Sequence, residues 1–274
     1  MTTRTSWSGR VAVVTGAGSG IGRALTRRLA AAGADVAASD VDRAAVERTA
    51  ESCGGLDGRV RAHELDVADR DAIYTHADRV RADHGQVDLV VNNAGVALRS
   101  SVRAMSDEDL NWIMDINFWG VVHGSRAFLP HLDVTGGHLV NVSSVFGFVG
   151  VPTQSAYNAS KFAVRGFTEA LRQEVLAEGS PVGVSCVHPG GVRTNIARSA
   201  RGIGSQDRDR LAGMFDRIAR TTPEGAARTV LDGIERGRPR ILVGPDAYFF
   251  DALPRVLGPA YQRLVAKVAG RLVE

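Results

Sequence analysis

Short apolar runs and amphipathic stretches alternate along the chain. Residues 10–15, 35–39, 59–65, 88–91, 136–142, 182–188 and 240–243 are brief runs rich in Val, Ala and Leu. Most lack a polar alternation, so they read as strands buried on both faces, the habit of a parallel sheet. Helical patterns lie between them, at 23–32, 41–52, 69–83, 106–119 with a second helix to about 131, 155 to about 178, and 223–236. Gly33 is placed to end the first of these, Ser106 and Asp109 resemble a capping box, and Pro223 after Thr222 suits a helix start. Strand and helix in strict alternation with short connections predict one α/β domain, a doubly wound parallel sheet of about seven strands with helices on both faces.

Two segments depart from this rhythm. Residues 195–222 are rich in Arg, Gly and Ser and read as a lid over the sheet edge. Residues 246–274 form an extension with apolar residues at roughly helical spacing, interrupted by Pro254 and Pro259 and carrying Arg255, Arg263, Lys267 and Arg271. A basic amphipathic helix can lie on an anionic membrane surface. The favoured alternative is a helix packed on its own domain or on a partner subunit. No composition shift or repeat divides the chain, so residues 1–274 are expected to form a single domain.

Composition narrows the partners. The chain has 274 residues, 44% hydrophobic and 23% charged, enough for a sizeable core without disulfides. The net charge of +3 is spread as dispersed Arg with no basic stripe, which makes nucleic acid a poor partner. Cys53 and Cys186 are far apart and the seven His are scattered, so no metal site is expected and both thiols read as reduced and packed. No apolar run is long enough to span a bilayer and the first ten residues are polar, so a cytoplasmic setting is the expectation.

Candidate chemistry starts at the first strand. Gly16-Ala-Gly-Ser-Gly-Ile-Gly22 lies between a buried strand and a helix. There glycines let backbone approach a pyrophosphate, and the helix N-terminus offers free N–H groups, as in a Rossmann-type dinucleotide site. Asp40 ends the second strand, where an acid accepts hydrogen bonds from ribose hydroxyls and repels a 2′-phosphate. No Arg or Lys stands at Ser19 or Val41, which favours NAD; nearby Arg43 leaves NADP open. Asp40 also reads as an N-cap for the next helix. Tyr157 and Lys161, four apart, share one helix face, and a cation near a phenol lowers its pKa. Asn117 is a polar residue among Ile116, Phe118 and Trp119, with a structural hydrogen bond as an equal reading.

Together, Thr15-Gly-Ala-Gly-Ser-Gly-Ile-Gly22, Asp66, Asn92-Asn-Ala-Gly95, Asn117, Ser144, Tyr157-x-x-x-Lys161 and Pro189-Gly190 with Thr194 resemble the short-chain dehydrogenase/reductase family over residues 8–244. Ser144, thirteen residues before Tyr157, matches the family's spacing where Ser143 does not. The resemblance implies cofactor contacts from Gly16, Ser19, Gly20, Ile21, Gly22 and Asp40, with Asp66 and Val67 flanking adenine. It further implies Asn93, Ala94 and Gly95 along the cofactor path, and Pro189, Gly190, Val192 and Thr194 at the nicotinamide. By the same resemblance Tyr157 is the general acid/base, Lys161 lowers its pKa and holds the ribose, Ser144 binds the substrate oxygen, and Asn117 anchors a water. The expected activity is interconversion of a hydrophobic secondary alcohol and its ketone with NAD(H) by a homodimer or homotetramer. The alternatives are an NADPH-dependent carbonyl or 3-oxoacyl reductase and, from another class, a catalytically silent dinucleotide sensor. The expected substrate pocket includes Val96, Val145, Phe146, Val149 and Gln154, with Leu98, Phe148 and lid residues Ile196, Ile203, Leu211, Met214 and Phe215 around it.

Overall fold

A computed structural model describes residues 7–202, 213 and 219–270. Seven parallel strands form one sheet: β1 Val11–Thr15, β2 Asp35–Asp40, β3 Val60–Glu64, β4 Leu89–Asn92, β5 His138–Val142, β6 Gly183–Pro189 and β7 Arg240–Val243, in the order β3-β2-β1-β4-β5-β6-β7. The strand order reverses between β1 and β4, so the crevice for a ligand lies beyond the carboxyl ends of these two strands. Successive strand residues point to opposite faces. Ala12 and Val14 pack beneath α1 (Gly20–Ala31) and α7 (Pro223–Glu235), while Val13 packs with α3 (Arg70–His84), α5 (Gly120–Thr135) and α6 (Ser155–Ala177). Both faces are covered, which is why the strands read as continuous apolar runs.

The remaining elements show where local signals worked and where packing overrode them. In α4 (Asp107–Met114) the Ser106 hydroxyl accepts from the Asp109 N–H at 3.1 Å, so the capping signal is real. In α2 (Arg43–Glu51) the cap is Asp42, whose Oδ1 accepts from the Ala45 N–H at 2.9 Å. The N-cap reading of Asp40 is therefore corrected. Between α4 and α5 the chain widens into one π-helical turn, Asp115–Trp119. Helix α5 does not stop at Pro130 but runs on to Thr135, its last turn held by fully buried Leu132 and ended by Gly136 at φ 64°. The C-terminal extension forms α8 (Pro245–Leu257), a 3₁₀ turn (Gly258–Ala260) and α9 (Tyr261–Gly270). Pro254 sits inside α8, and the break falls at Gly258, at φ 50°. Among the described residues no helix is long and apolar enough to cross a membrane.

Candidate active site

The glycine loop leaves β1 and turns tightly into α1. Gly16 and Gly20 hold φ of 65° and 50°, the left-handed region that side chains disfavour. A Cβ on Gly16 would stand 2.8 Å from the Ala94 Cα, so close approach of two loops also demands glycine there. Thr15 Oγ1 accepts from the N–H groups of both Asn93 and Ala94 at 3.0 Å, and Asn93 Nδ2 donates to the Thr15 carbonyl at 2.8 Å. These bonds clamp the loop after β4 to the loop after β1. At the N-cap of α1, Ser19 is exposed and makes no side-chain cap bond, which leaves its hydroxyl beside free helix N–H groups. Asp40 lies across from this: Oδ2 accepts from the Gly18 N–H at 2.8 Å and Oδ1 from the Asp42 N–H at 3.0 Å. Asp66 is exposed at the end of β3 and accepts from the Ala68 N–H, with Val67 buried beside it. This concave surface of backbone donors, closed by a carboxylate at one end, fits the pyrophosphate and ribose of a dinucleotide.

The strand ends that follow bring side chains to the same edge. Gly95 permits a junction: a Cβ there would stand 3.2 Å from Asn117 Oδ1 and 3.3 Å from Lys161 Nζ. Asn117, fully buried in the π-turn, accepts from the Val96 N–H at 2.8 Å and donates to the Val96 carbonyl at 3.0 Å and to Ser160 Oγ at 3.2 Å. It thus stands in for a strand neighbour of Val96, and the structural reading of its polarity is realised. Beneath, Asn92, Asn141 and Thr168 form a buried amide-to-hydroxyl chain linking β4, β5 and α6.

Ser143 and Ser144 follow β5 and diverge. The Ser143 hydroxyl donates to the Lys161 carbonyl at 2.8 Å, a purely structural bond. Ser144 accepts from the Phe146 N–H at 3.1 Å, and its hydroxyl neighbours Tyr157. Burial pushes the Tyr157 phenol above its ordinary pKa, and the neighbouring Ser144 hydroxyl only partly opposes this. Lys161 is 3% exposed, donates to the Val142 carbonyl at 3.0 Å and stands 5.8 Å from the Tyr157 ring centre. Burial lowers it to about 8. The Tyr157 pKa is thus shifted upward, opposite to the lowering expected from Lys161, because desolvation of the phenol is the largest cause. Beyond β6, Pro189 and Gly190 lead into Val192, which is buried, and Thr194, whose methyl lies against Gly20 and whose hydroxyl makes no cap bond.

The wall over Tyr157 differs in part from expectation. Val96 and Leu98 share an apolar cluster with Tyr157, Phe146 meets its ring edge-on at 6.1 Å, and Gln154 bridges to Ser100. Val149, however, is fully buried with Phe148, Leu253 and Tyr261, and Val145 is 5% exposed. Val149 therefore backs the wall against the extension and does not line a cavity. Ile203, Leu211, Met214 and Phe215 lie outside the described residues, as does most of the expected lid.

Four residues escaped sequence reasoning. Asn158 donates to the Phe146 and Val149 carbonyls at 2.9 and 2.7 Å and accepts from the Val151 N–H at 3.1 Å, stapling the wall to α6. Tyr261 accepts from the Gly150 N–H at 3.1 Å through its phenol oxygen. Asp246 accepts from the Gly191 N–H at 2.6 Å, joining the extension to the turn after β6. His188 donates through Nδ1 to the Ser144 carbonyl at 3.1 Å and stacks on Phe148 at 4.1 Å; burial lowers it to about 4, so it is neutral. Only Asn158 carried a signal, a second amide beside Tyr157 on a helix with an apolar face.

Known proteins resemble this chain in sequence and in fold. SadH of Mycobacterium tuberculosis, named as an oxidoreductase, is 50% identical over 263 residues, covering 95% of each chain. Human estradiol 17-beta-dehydrogenase 11 is 30% identical over 93% of this chain and 81% of its own. The 3-oxoacyl-[acyl-carrier-protein] reductase FabG of Thermotoga maritima is 36% identical over 68% of this chain and 75% of its own. A short-chain dehydrogenase/reductase from Burkholderia phymatum, solved in complex with NAD, superposes with a TM-score of 0.83 at 29% identity, covering 92% of this chain and 95% of that one. Residues 10–202 match the family model described as short chain dehydrogenase, and the protein is an oxidoreductase of the short-chain dehydrogenase/reductase family.

Proposed function

We propose that the protein interconverts a hydrophobic secondary alcohol and its ketone with NAD(H), using Tyr157 as general acid and base. The observation that carries this is the trio itself: the Tyr157 phenol beside Ser144, with the buried Lys161 amine 5.8 Å from its ring at the Gly95 junction. In reduction Tyr157 donates its proton to the carbonyl oxygen as that oxygen becomes an alcohol. Its raised pKa keeps the phenol protonated at neutral pH, as a donor must be. Ser144 hydrogen-bonds the same oxygen, where charge develops. In oxidation Tyr157 takes the hydroxyl proton instead, and the Lys161 ammonium favours the phenolate. A nicotinamide dinucleotide, when bound, supplies or accepts the hydride.

The cofactor's diphosphate is assigned to the loop from Gly16 to Gly22, with Ser19, Gly20 and Ile21 at the N-terminus of α1. Asp40 is assigned to the adenosine ribose, Asp66 and Val67 to the adenine, and Asn93, Ala94 and Gly95 to the path between. Pro189, Gly190, Val192 and Thr194 are assigned to the nicotinamide end. Asn117, besides holding Val96, is assigned a water that connects Lys161 to solvent. NAD is preferred because Asp40 ends β2 and Arg43 is engaged with Glu47 at 2.8 Å. The Burkholderia relative's complex with NAD supports the same choice.

The apolar surroundings of Tyr157 and the estradiol dehydrogenase relative support a hydrophobic substrate. A second reading, an NADPH-dependent 3-oxoacyl reductase, is favoured by the FabG relative. A panel of hydrophobic secondary alcohols, their ketones and 3-oxoacyl thioesters, followed by nicotinamide absorbance with NADH and NADPH, separates them. Turnover of the ketones with NADH supports the first reading; NADPH-specific turnover of the thioesters alone replaces it. The assembly is proposed to be a homodimer or homotetramer through α4, α5 and α6, where Trp119 in the π-turn and Phe162 on α6 are 46% and 41% exposed. A monomer by light scattering would refute that.

A further inference from the structure

Helices α8 and α9 have two faces of opposite character. The inner face is committed to the domain: Leu253 and Tyr261 pack on Phe148 and Val149, and Asp251 bonds Arg240 at 3.0 Å. The outer face of α8 is an apolar stripe. Tyr248, Phe249 and Val256 are 57%, 57% and 79% exposed, with Ala252 exposed between them at helical spacing. Leu257 and Leu264 extend it, at 42% and 47% exposed.

The exposed charges around this stripe are cationic. Between residues 245 and 270 the acids are Asp246 and Asp251; Asp246 is tied inward to the Gly191 N–H, and Asp251 bonds Arg240 at 3.0 Å and Arg255 at 2.9 Å. Arg263 and Lys267 are exposed, as is Arg255 beside its partner Asp251. The sequence posed packing on the domain and membrane contact as alternatives. The structure satisfies the first with one face and leaves the other face free.

We infer that the outer face of the extension docks on an anionic phospholipid surface. Such a surface meets both features at once. Aromatic and aliphatic side chains sink into the boundary between headgroups and acyl chains, and Arg and Lys meet the phosphates. A second copy of this chain fits less well, because a twofold contact would set the exposed Arg263 and Lys267 of the two copies together with no exposed acid between residues 245 and 270 to offset them. The inference is independent of the substrate and cofactor assigned above.

The test is sedimentation of the full chain with vesicles of phosphatidylcholine alone and with added phosphatidylglycerol. Binding to the anionic vesicles is expected to be at least about tenfold stronger, at about fivefold per cation near the surface. R263E/K267E is expected to erase that preference, and Y248S/F249S to weaken binding to both vesicles, each with unchanged circular dichroism and unchanged melting temperature. Equal, weak binding of the wild-type chain to both vesicles would overturn the inference. So would wild-type vesicle binding by both variants. Conversion of an oligomer to a smaller species by Y248S/F249S, with vesicle binding intact, would assign the face to a second copy instead.

Discussion

Where β1 turns into α1 the site is made of backbone; around Tyr157 it is made of side chains drawn from across the chain. The first region is a surface of N–H groups and carbonyls with Gly16 and Gly20 at positive φ, clamped by Thr15 and Asn93. The second joins Ser144 after β5, Tyr157 and Lys161 on α6, His188 on β6 and Tyr261 in the extension. A backbone surface tolerates no added atoms. A side-chain site fails when one atom is removed.

The largest expected effect lies in the second region. Tyr157→Phe removes one oxygen and should lower kcat/KM by at least about 10²-fold, the low end for general acid–base catalysis, with cofactor affinity kept. Near-normal turnover would end the assignment. Next is a pH effect on Lys161. Its folded pKa is about 8 against an ordinary 10.5, so between these values the unfolded chain holds a proton that the folded chain does not. Stability supported at this site should therefore rise as pH climbs from about 8 toward 10.5, by about 1.4 kcal/mol per pH unit. Urea unfolding of wild type and Lys161→Met across that window reads the difference; parallel curves would show that the amine is not desolvated.

Smaller effects sharpen the contrast. Gly16→Ala forces a side chain into φ 65° and against Ala94, at a cost of about 1–2 kcal/mol in conformation alone. A fluorescence titration with NADH should show weaker binding, while the Tyr157 region keeps its pH profile. Tyr261→Phe deletes the acceptor of the Gly150 N–H, worth about 1 kcal/mol. It should raise the substrate KM and leave NADH affinity unchanged. An equal change in both would mean that the two regions are not separable in this way.

The contrast also explains what could be read in advance. The glycine loop, Asp40 and the order of strands are local signals: a required φ, an apolar run, an acid at a strand end. Ser144 and Lys161 were legible as motif members, but the direction of the Tyr157 shift was not. Spacing shows that a cation is near; burial of the phenol depends on Leu98, Ile113 and Phe146, which come from three separate segments. Asp40 read as a cap from sequence, but the turn between β2 and α2 puts Asp42 at the Ala45 N–H and Asp40 at the Gly18 N–H.

The amino-acid sequence alone determined the parallel α/β sheet and the glycine turn after β1, because hydrophobic period and glycine geometry act over a few residues, and its family resemblance named the catalytic candidates. Tertiary structure decided the rest. It placed Asn117 in a π-turn against Val96, set Val149 behind the wall, and brought Asp246 and Tyr261 back to Gly191 and Gly150. Those contacts join residues up to 111 positions apart. Which side chains lose water there depends on what the chain folds back upon, and no local pattern encodes that.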